Sequence, residues 1–351
     1  MTHLTSHSPS AHRGGTASQK SAMRSRPRRR RREALAFLAV AALGVVVLVI
    51  AMLVGSYALP IDRLWLVLSG QELGFERTVV LEWRMPRSIT ALVVGACLGL
   101  SGALLQTVTR NPLASPDLIG ISGGAYTAVL ILIIYTGSRW ELVTSAALVG
   151  ALITAAILFA LAGSSGNERG SRFLLAGVAL AALLGGVNSW IVLSASLEAA
   201  MAAATWGAGS LAASTWQTAA ISSVALIIGA VMSALAIRRI RAHALGDDLA
   251  TSLGAAPRSL RVQLIIVSVM LAAISTAMCG PIGLLPLVAP PIARAILRTS
   301  GAPLALSASV AAVLLAGADL LAQHVLPGGP PAGLVTTVLG GGYLMFMLLR
   351  G

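Results

Sequence analysis

The stretch from Arg84 to Ala125, RMPRSITALVVGACLGLSGALLQTVTRNPLASPDLIGISGGA, decides the fold class of this chain. Two arginines flank a proline, and roughly twenty apolar and small residues follow, which is enough to cross the hydrocarbon core of a bilayer. A polar, proline-broken turn from Arg110 to Asp117 comes next, and a glycine-rich run leads into another apolar block. Soluble proteins do not place such a turn between two segments of membrane length. The stretch therefore predicts a polytopic membrane protein.

The composition of the whole chain supports the same class. Of the 351 residues, 56% are hydrophobic and only 11% are charged, far from the average of soluble proteins. Apolar blocks long enough to cross a bilayer recur at about 34–54, 87–107, 117–136, 141–162, 172–195, 218–237, 261–279, 283–298, 303–324 and 331–350. The block at 283–298 is short and contains prolines, so we expect it to be broken, tilted or partly buried in protein. The fold class is all-α, with about ten transmembrane helices.

The net charge of +13 is concentrated before the first apolar block. Nine basic residues and no acid precede Glu33, so the rest of the chain carries only about +4. We interpret residues 1–33 as a basic, disordered cytoplasmic tail that is attracted to anionic headgroups, and residues 34–351 as the transmembrane domain. No folded basic face accompanies the run, so no nucleic-acid partner is expected. The apolar stretch is about twice the length of a signal-peptide core, which favours a retained helix over a cleaved one.

Arginines set the predicted orientation. With the tail inside, the internal connections contain most of the remaining arginines, above all the loop at 237–261. The arginines of the external connections are diluted by acidic residues. This bias agrees with an even number of spans and with both termini in the cytoplasm.

Three motifs resemble those of one family. The opening stretch looks like the R-[LM]-P-R…S-G…Q…[RT]-N-P-L-A-x-P-x-[LIV]-[LI]-G signature of the membrane-spanning permease subunits of ABC importers for ferric siderophores, haem and vitamin B12. Gly246–Gly254 resembles the family's G-[DE]-[DE]-x-A-x-x-L-G, and Gly280–Arg294 resembles its G-P-I-[GS]-F-[VI]-G-L-[VI]-[AV]-P-H-[IL]-[AV]-R. Leu284, Pro286 and Pro291 depart from the last pattern. The resemblance covers about residues 55–350 and implies the type II ABC importer permease fold.

The loop at 237–261 is the candidate contact with an ATPase. Glycines bound a short polar stretch, which suits a helix that docks into a partner's cleft. In the family this position holds the coupling helices, and the matching residues here are Gly246, Asp247, Asp248, Leu253 and Gly254. The alternative is an ordinary solvated loop.

Arg84 and Arg87 are the candidate docking residues for a binding protein. In the family, the corresponding arginines receive acidic residues of the substrate-binding protein, and arginine pairs with carboxylates through two hydrogen bonds. Topology alone is an alternative explanation, because charges at the mouth of a membrane protein cost little. A third arginine of the family is replaced here by Gln323, and the adjacent His324 is a weak substitute at neutral pH.

A third set of residues is expected to line or close the pathway. The family places its N-P-L turn and its fifth helix at the cytoplasmic end, which assigns Asn111, Pro112, Leu113, Gly185, Gly186 and Asn188 to this role. Asn188 is costly in lipid and should face a wet cavity or another helix. Ordinary helix packing explains the same glycines and a satisfied asparagine.

The resemblance implies a permease for a ferric siderophore in the bacterial cytoplasmic membrane, because N-P-L-A-S-P-D-L-I-G looks closest to siderophore permeases. Cobalamin and haem stay open. The implied partners are two ABC ATPase subunits, a second permease copy or a homologous permease, an extracytoplasmic substrate-binding protein and membrane lipid. The chain itself is then no enzyme and binds no metal or cofactor, whereas ATP-Mg binds to the partner subunit.

Three other classes of function fit the residues less well, namely a phosphate-loop ATPase, an ion-coupled secondary transporter and an intramembrane enzyme. Lys20 is the only lysine, so the chain contains no G-x-x-x-x-G-K-[ST] phosphate loop. An ion-coupled secondary transporter is the alternative from another class. Asp319 is the one acid that we place within a span, near its end, and no series of acids or histidines crosses the membrane as a proton relay requires. An intramembrane enzyme would need a nucleophile–base pair or a metal set.

Overall fold

The computed structural model describes residues 15–71, 74–136, 140–162, 169–243, 246, 251–252, 256–299 and 301–350. Within these ranges the chain folds into helices joined by turns. The helices are α1 Gly15–Leu53, α2 Ile61–Leu68, α3 Phe75–Thr109 (with a π-helical segment, Thr78–Arg84), α4 Ile121–Thr136, α5 Trp140–Ala162, α6 Arg169–Ser194, α7 Leu197–Gly207, α8 Trp216–Leu235, α9 Ile237–His243, α10 Pro257–Cys279, α11 Leu285–Leu297, α12 Leu304–His324 and α13 Ala332–Arg350.

Ten of the described helices are apolar enough to lie in a membrane. Seven are long enough to cross it, namely α1, α3, α5, α6, α8, α10 and α12, and α4, α11 and α13 are shorter. These ten match the ten blocks that the sequence predicts, so the all-α, polytopic fold class is confirmed. The short α11 coincides with the block in which prolines were expected to limit the helix. Its first six residues, 285–290, are buried in protein.

Helix α1 begins earlier than expected. The sequence predicts a start near residue 34, whereas the helix extends back to Gly15 and includes part of the basic tail. Arginine, alanine, lysine and glutamine are good helix formers, and each residue added to an existing helix gains a hydrogen bond. Residues 1–14 lie outside the described part of the chain, and the division into 1–33 and 34–351 stays a prediction.

Helix α3 is the centre of the bundle, with 83% of its most apolar window buried inside the protein. It packs against α8, α10, α11 and α12. Small residues make these contacts close: a Cβ on Gly95 would lie 2.6 Å from the Ala311 carbonyl oxygen of α12. Ser101 and Ser268 add a reciprocal pair between α3 and α10, because each hydroxyl donates to the other residue's carbonyl, over 2.7 and 2.8 Å. Backbone contact between small residues is the usual means of helix association in lipid.

Helices α4, α5 and α6 pack against one another beside this centre, and α10 contacts α4 and α5. The loop from 110 to 120 joins α3 to α4 and packs on α6, where Ile119 lies against Gly177. Gly120 has a φ of 87° at the end of the loop, so the fourth helix starts at Ile121 rather than at the predicted residue 117. The Gly120 backbone lies close to Ala181 of α6, which fixes the loop against that helix.

Candidate functional site

Arg84 ties the start of α3 to the end of α1. It ends the π-helical segment, and its guanidinium donates hydrogen bonds to the carbonyl oxygens of Met52, at 2.6 Å, and Tyr57, at 2.5 Å. These carbonyls lie at the end of α1 and in the turn after it, where helix geometry leaves backbone acceptors without partners. The side chain of Arg84 therefore supports the fold, whatever else it contacts.

Arg87 lies one turn further along α3 and forms an ion pair with Asp319 of α12. Its Nε and Nη2 atoms donate to the two carboxylate oxygens, at 2.9 and 2.8 Å. Asp319 is 4% exposed, and Gln323 donates a further hydrogen bond to it at 2.7 Å. A paired arrangement of this kind is the strong form of a charge-assisted hydrogen bond. Gln323, which replaces an arginine of the family pattern, thus helps to hold the carboxylate.

The asparagine–proline–leucine turn forms a compact, exposed corner. The Asn111 side chain accepts a hydrogen bond from the Leu113 backbone N–H at 2.9 Å, so it closes the turn on itself. Pro112 and Leu113 are exposed, the latter at 51%. Polar backbone and an apolar leucine are therefore available at this corner for contact with another molecule.

Asn188 faces another helix of the same chain. Its Nδ2 donates to the Gly123 carbonyl at 3.2 Å, and its Oδ1 accepts from Thr127 Oγ1 at 2.6 Å, both in α4. Of the two expected environments, the structure therefore shows the helix contact. Gly185 and Gly186 are exposed, and a Cβ on either would meet no heavy atom within 4 Å among the described residues. Their face of α6 is open within this chain, and their assignment to the pathway stays a prediction.

The predicted coupling stretch is described only in part. Gly246 has a φ of 108°, a backbone conformation that glycine adopts easily. Asp247, Asp248, Leu253 and Gly254 lie outside the described residues. The flanking helices are held together by Arg239 of α9, whose Nη2 and Nη1 donate to Ser259 Oγ and Gln263 Oε1 of α10, at 2.6 and 3.2 Å.

His243 ends α9 and is 1% exposed. The Arg110 guanidinium donates to its carbonyl oxygen at 2.8 Å, which joins the end of α3 to the end of α9. Burial, and after it the positive charges of Arg110 and Arg261, lower the pKa of the His243 imidazole below its usual range. The side chain is therefore held in its neutral form near pH 7.

Helix α11 contains Pro290 and Pro291, and Gln106 compensates for one of them. Proline has no N–H, so Pro291 leaves the carbonyl of Leu287, four residues before it, without its helix partner. Gln106 of α3 donates to this carbonyl at 3.1 Å, and Arg294 donates to Gln106 Oε1 at 2.9 Å. Position 291 has a proline instead of the histidine of the family pattern, so any contact of that histidine is absent here. The nearby Leu287 carbonyl is bound by Gln106.

Sequence reasoning missed the burial of Asp117. We placed Asp319 as the one acid within a span, yet Asp117 Oδ2 is also buried and has no hydrogen-bond partner among the described residues. Its Oδ1 accepts from Ser122 Oγ at 2.7 Å, and Ser122 lies 3.5 Å from Thr276 of α10. The run Gly120–Gly124 has the spacing G-x-S-x-G, but these partners of Ser122 are a carboxylate and a hydroxyl rather than a histidine base.

Known proteins match the chain over nearly its full length. The profile of the FecCD transport family covers residues 42–350. The chain belongs to this family. Among its relatives are the ferric enterobactin transport system permease protein FepG of Escherichia coli, 38% identical over 84% of this chain and 90% of FepG, and FepD of the same organism, 34% identical over 87% and 92%. The vitamin B12 import system permease protein BtuC of Vibrio cholerae is 34% identical over 83% of this chain and 88% of BtuC.

A solved structure of another protein has the same fold as this chain. It is described as an inward-facing conformation of a metal-chelate type ABC transporter, and it aligns with a TM-score of 0.79 over 90% of this chain and 99% of that one, at 23% identity. Family membership confirms the resemblance that the three motifs indicated. Together with the apolar helices, it makes this chain a multi-pass membrane protein of a transport family.

Proposed function

We propose that this chain is the transmembrane permease subunit of an ABC importer and forms the pathway for a ferric siderophore. The observation that carries the proposal is the 38% identity to a ferric enterobactin permease over 84% of the chain. Cobalamin and haem are the alternative cargoes, because permeases for vitamin B12 and hemin are relatives at 34% and 33% identity. The subunit is no enzyme in this proposal and binds no cofactor, since ATP-Mg belongs to the partner ATPase.

The partners follow from the surfaces that the fold leaves open. The exposed face of α6 at Gly185 and Gly186 is proposed to line the pathway, which would run between this chain and a second permease copy or a homologous permease. The exposed corner at Asn111–Leu113 is the proposed cytoplasmic closure of that pathway. Two ATPase subunits would bind the 237–261 loops, and ATP-driven closure would shift the helices between two packings. Both termini are then cytoplasmic.

If Arg84 and Arg87 bind the substrate-binding protein, they must do so while they keep the partners that they have in this chain. A carboxylate of the extracytoplasmic binding protein would meet an Arg87 guanidinium that already holds Asp319. Arginine has five N–H donors, and Asp319 uses two, so a second carboxylate can bind without displacing the first. Arg84 likewise has donors beyond the two that Met52 and Tyr57 use.

A charge swap tests the docking role without breaking the ion pair. In Arg87→Glu combined with Asp319→Arg, the internal pair is retained while the charge on α3 is reversed. We expect the binding protein to lose affinity for this variant while thermal stability is largely kept. Undiminished docking of the binding protein would refute the role of Arg87.

A transport assay tests the proposed function itself. Cells that lack the gene should lose uptake of radioiron presented as a ferric siderophore, and should keep uptake of cobalamin and haem. Uptake should collapse on ATP depletion and survive an uncoupler. Replacement of 247–253 by a Gly/Ser linker should prevent co-purification with the ATPase, and a complex that assembles normally would contradict the coupling assignment.

An ion-coupled secondary transporter is the second candidate, and buried Asp117 is the observation that favours it. A carboxylate inside a membrane protein can carry a proton, and Asp117 Oδ2 has no hydrogen-bond partner among the residues that the structure describes. This candidate predicts the opposite result in the same assay: uptake that stops with an uncoupler and continues after ATP depletion. It also predicts that Asp117→Asn abolishes uptake.

A further inference from the structure

A groove between α8 and α10 opens on the outside of the bundle. It encloses about 700 Å³ and is lined by Met232 of α8 and by Arg258, Ser259, Val262 and Ile266 of α10, among others. Apolar side chains form most of its walls, and the basic and polar residues gather at one end. The groove therefore has two parts: an apolar track, which includes Val262 and Ile266, and a charged mouth at Arg258 and Ser259.

The apolar track continues along one stripe of α10. Val262, Ile266 and Met270 follow one another at four-residue spacing, so they lie on one face of the helix, and they are 44%, 47% and 36% exposed. Met232 of α8 lines the groove beside this stripe, and Val231 and Leu235 of the same helix are also exposed, at 51% and 75%. Side chains exposed on the membrane-spanning part of a helix have acyl chains as their natural neighbours.

Arginines Arg258 and Arg239 lie at or next to the charged mouth, and neither forms an ion pair with a carboxylate in the described part of the chain. Arg258 is exposed one turn before Val262, on the same stripe of α10, and forms no hydrogen bond or ion pair among the described residues. Arg239 approaches from α9 and donates only to neutral groups, Ser259 Oγ and Gln263 Oε1. Arg258 lines this end of the groove, and Arg239 contacts two residues that line it, so two positive charges lie near the end of the apolar track without a counter-charge from the described residues.

We propose that this groove binds an anionic phospholipid, with its phosphate at Arg258 and Arg239 and one acyl chain along Val262, Ile266 and Met270. The charges are complementary, since arginine is well suited to phosphate oxygens. A basic residue at a membrane surface also attracts anionic lipids. A free phosphate would use the mouth but not the apolar track, which continues beyond the reach of a headgroup. Arg239 and Arg258 lie near the two ends of the 237–261 segment, whereas the ATPase contact is proposed at its middle, Gly246–Gly254, so the two proposals use different residues of that segment. The lipid site requires only that the chain spans a membrane, and it does not depend on the identity of the cargo.

The purified full-length chain in detergent allows a direct test by native mass spectrometry. Phosphatidylglycerol and phosphatidylcholine of equal chain length are titrated, and bound lipid is counted. We expect a clear preference for phosphatidylglycerol. Arg258→Gln should weaken this binding about fivefold, and Arg258→Gln with Arg239→Gln about 25-fold, as expected for the loss of one and two surface cations.

Matched variants separate the site from general charge effects. Arg298→Gln removes an equal charge from an exposed residue at the end of α11, outside the groove lining, and should leave binding unchanged. Ile266→Ser should weaken phosphatidylglycerol but not glycerophosphoglycerol, which has the headgroup and no acyl chain. Thermal unfolding of each variant checks that it folds.

Four results would overturn the proposal. The first is equal binding of the two lipids, and the second is an Arg298→Gln effect as large as that of Arg258→Gln. The third is glycerophosphoglycerol binding as tight as that of the intact lipid, which would indicate a headgroup or phosphate site without a lipid track. Arg258→Lys keeps the charge and should retain most of the binding, so a loss as large as that of Arg258→Gln would also contradict it.

Discussion

Gln106 offers the sharpest test of how this bundle tolerates two prolines inside α11. In Gln106→Leu the Leu287 carbonyl loses its donor from α3, and Pro291 cannot supply one. Gln106 and Leu287 are nearly fully buried, at 4% and 3% exposure. A buried carbonyl without a partner costs about 1–3 kcal/mol. We therefore expect the variant to unfold at a lower temperature than the wild type.

A second substitution should return what the first removes. Pro291→Ala restores a backbone N–H four residues after Leu287, where an α-helix directs it to that carbonyl. In the Gln106→Leu background this change should recover about 1–3 kcal/mol, because it supplies the missing donor. In the wild-type background it should gain much less, since Gln106 already fills that position. The difference between the two gains is the coupling between the residues.

The assay is thermal or denaturant unfolding of the four purified proteins, wild type, both single variants and the double variant, in one detergent. A coupling of at least about 1 kcal/mol is expected for residues that share one carbonyl. Strictly additive effects would refute the reasoning, because they would mean that Gln106 and Pro291 do not act on the same group. Gln106→Leu also removes the acceptor of Arg294, but this loss is common to both arms of the cycle.

Three further predictions rest on single contacts. In Gly102→Ala the new Cβ would clash with the Pro286 carbonyl oxygen, so the protein should be destabilised by about 1–3 kcal/mol or more. Gly317→Ala, with nothing within 4 Å among the described residues, should be neutral or gain up to about 1 kcal/mol, and equal yields and melting temperatures of the two variants would contradict this. Arg87→Ala should cost on the order of 3 kcal/mol because it leaves buried Asp319 unpaired, and a double replacement of the pair by leucines should recover most of it. Folding lowers the pKa of the His243 imidazole below its unfolded value of about 6.5. The contribution of His243 to stability is therefore full above that pH and is lost as the pH falls below it. Melting temperatures should decline less on acidification in His243→Asn than in the wild type.

Local signals in the sequence predicted much of the fold. Apolar length located ten helices, and the glycines and prolines of 280–291 predicted a short segment at the correct place, because these residues act on the backbone where they stand. The starts of α1 and α4 were misplaced. The first depends on how far an existing helix extends, and the second on a loop that folds back against α6.

The contacts of the candidate site could not be predicted in the same way. Arg87 and Asp319 are 232 positions apart, and Gln106 and Leu287 are 181 apart, so only the folded bundle brings them together. Asp117 looked like part of a polar turn, and its burial follows from the packing of that turn against neighbouring helices. Without those partners, Arg87 was expected to be available to another protein, whereas the structure shows that it already holds a carboxylate of its own chain.

The close approach of α3 to its neighbours has a consequence for movement. Where Gly95 meets α12 and Gly102 meets α11, main chain rests almost directly on main chain, and no layer of flexible side chains lies between them. Changes of side-chain rotamer cannot allow these helices to slide past one another, so α3, α11 and α12 should move as one rigid body. A movement that opens or closes this protein must then take place at other helix contacts.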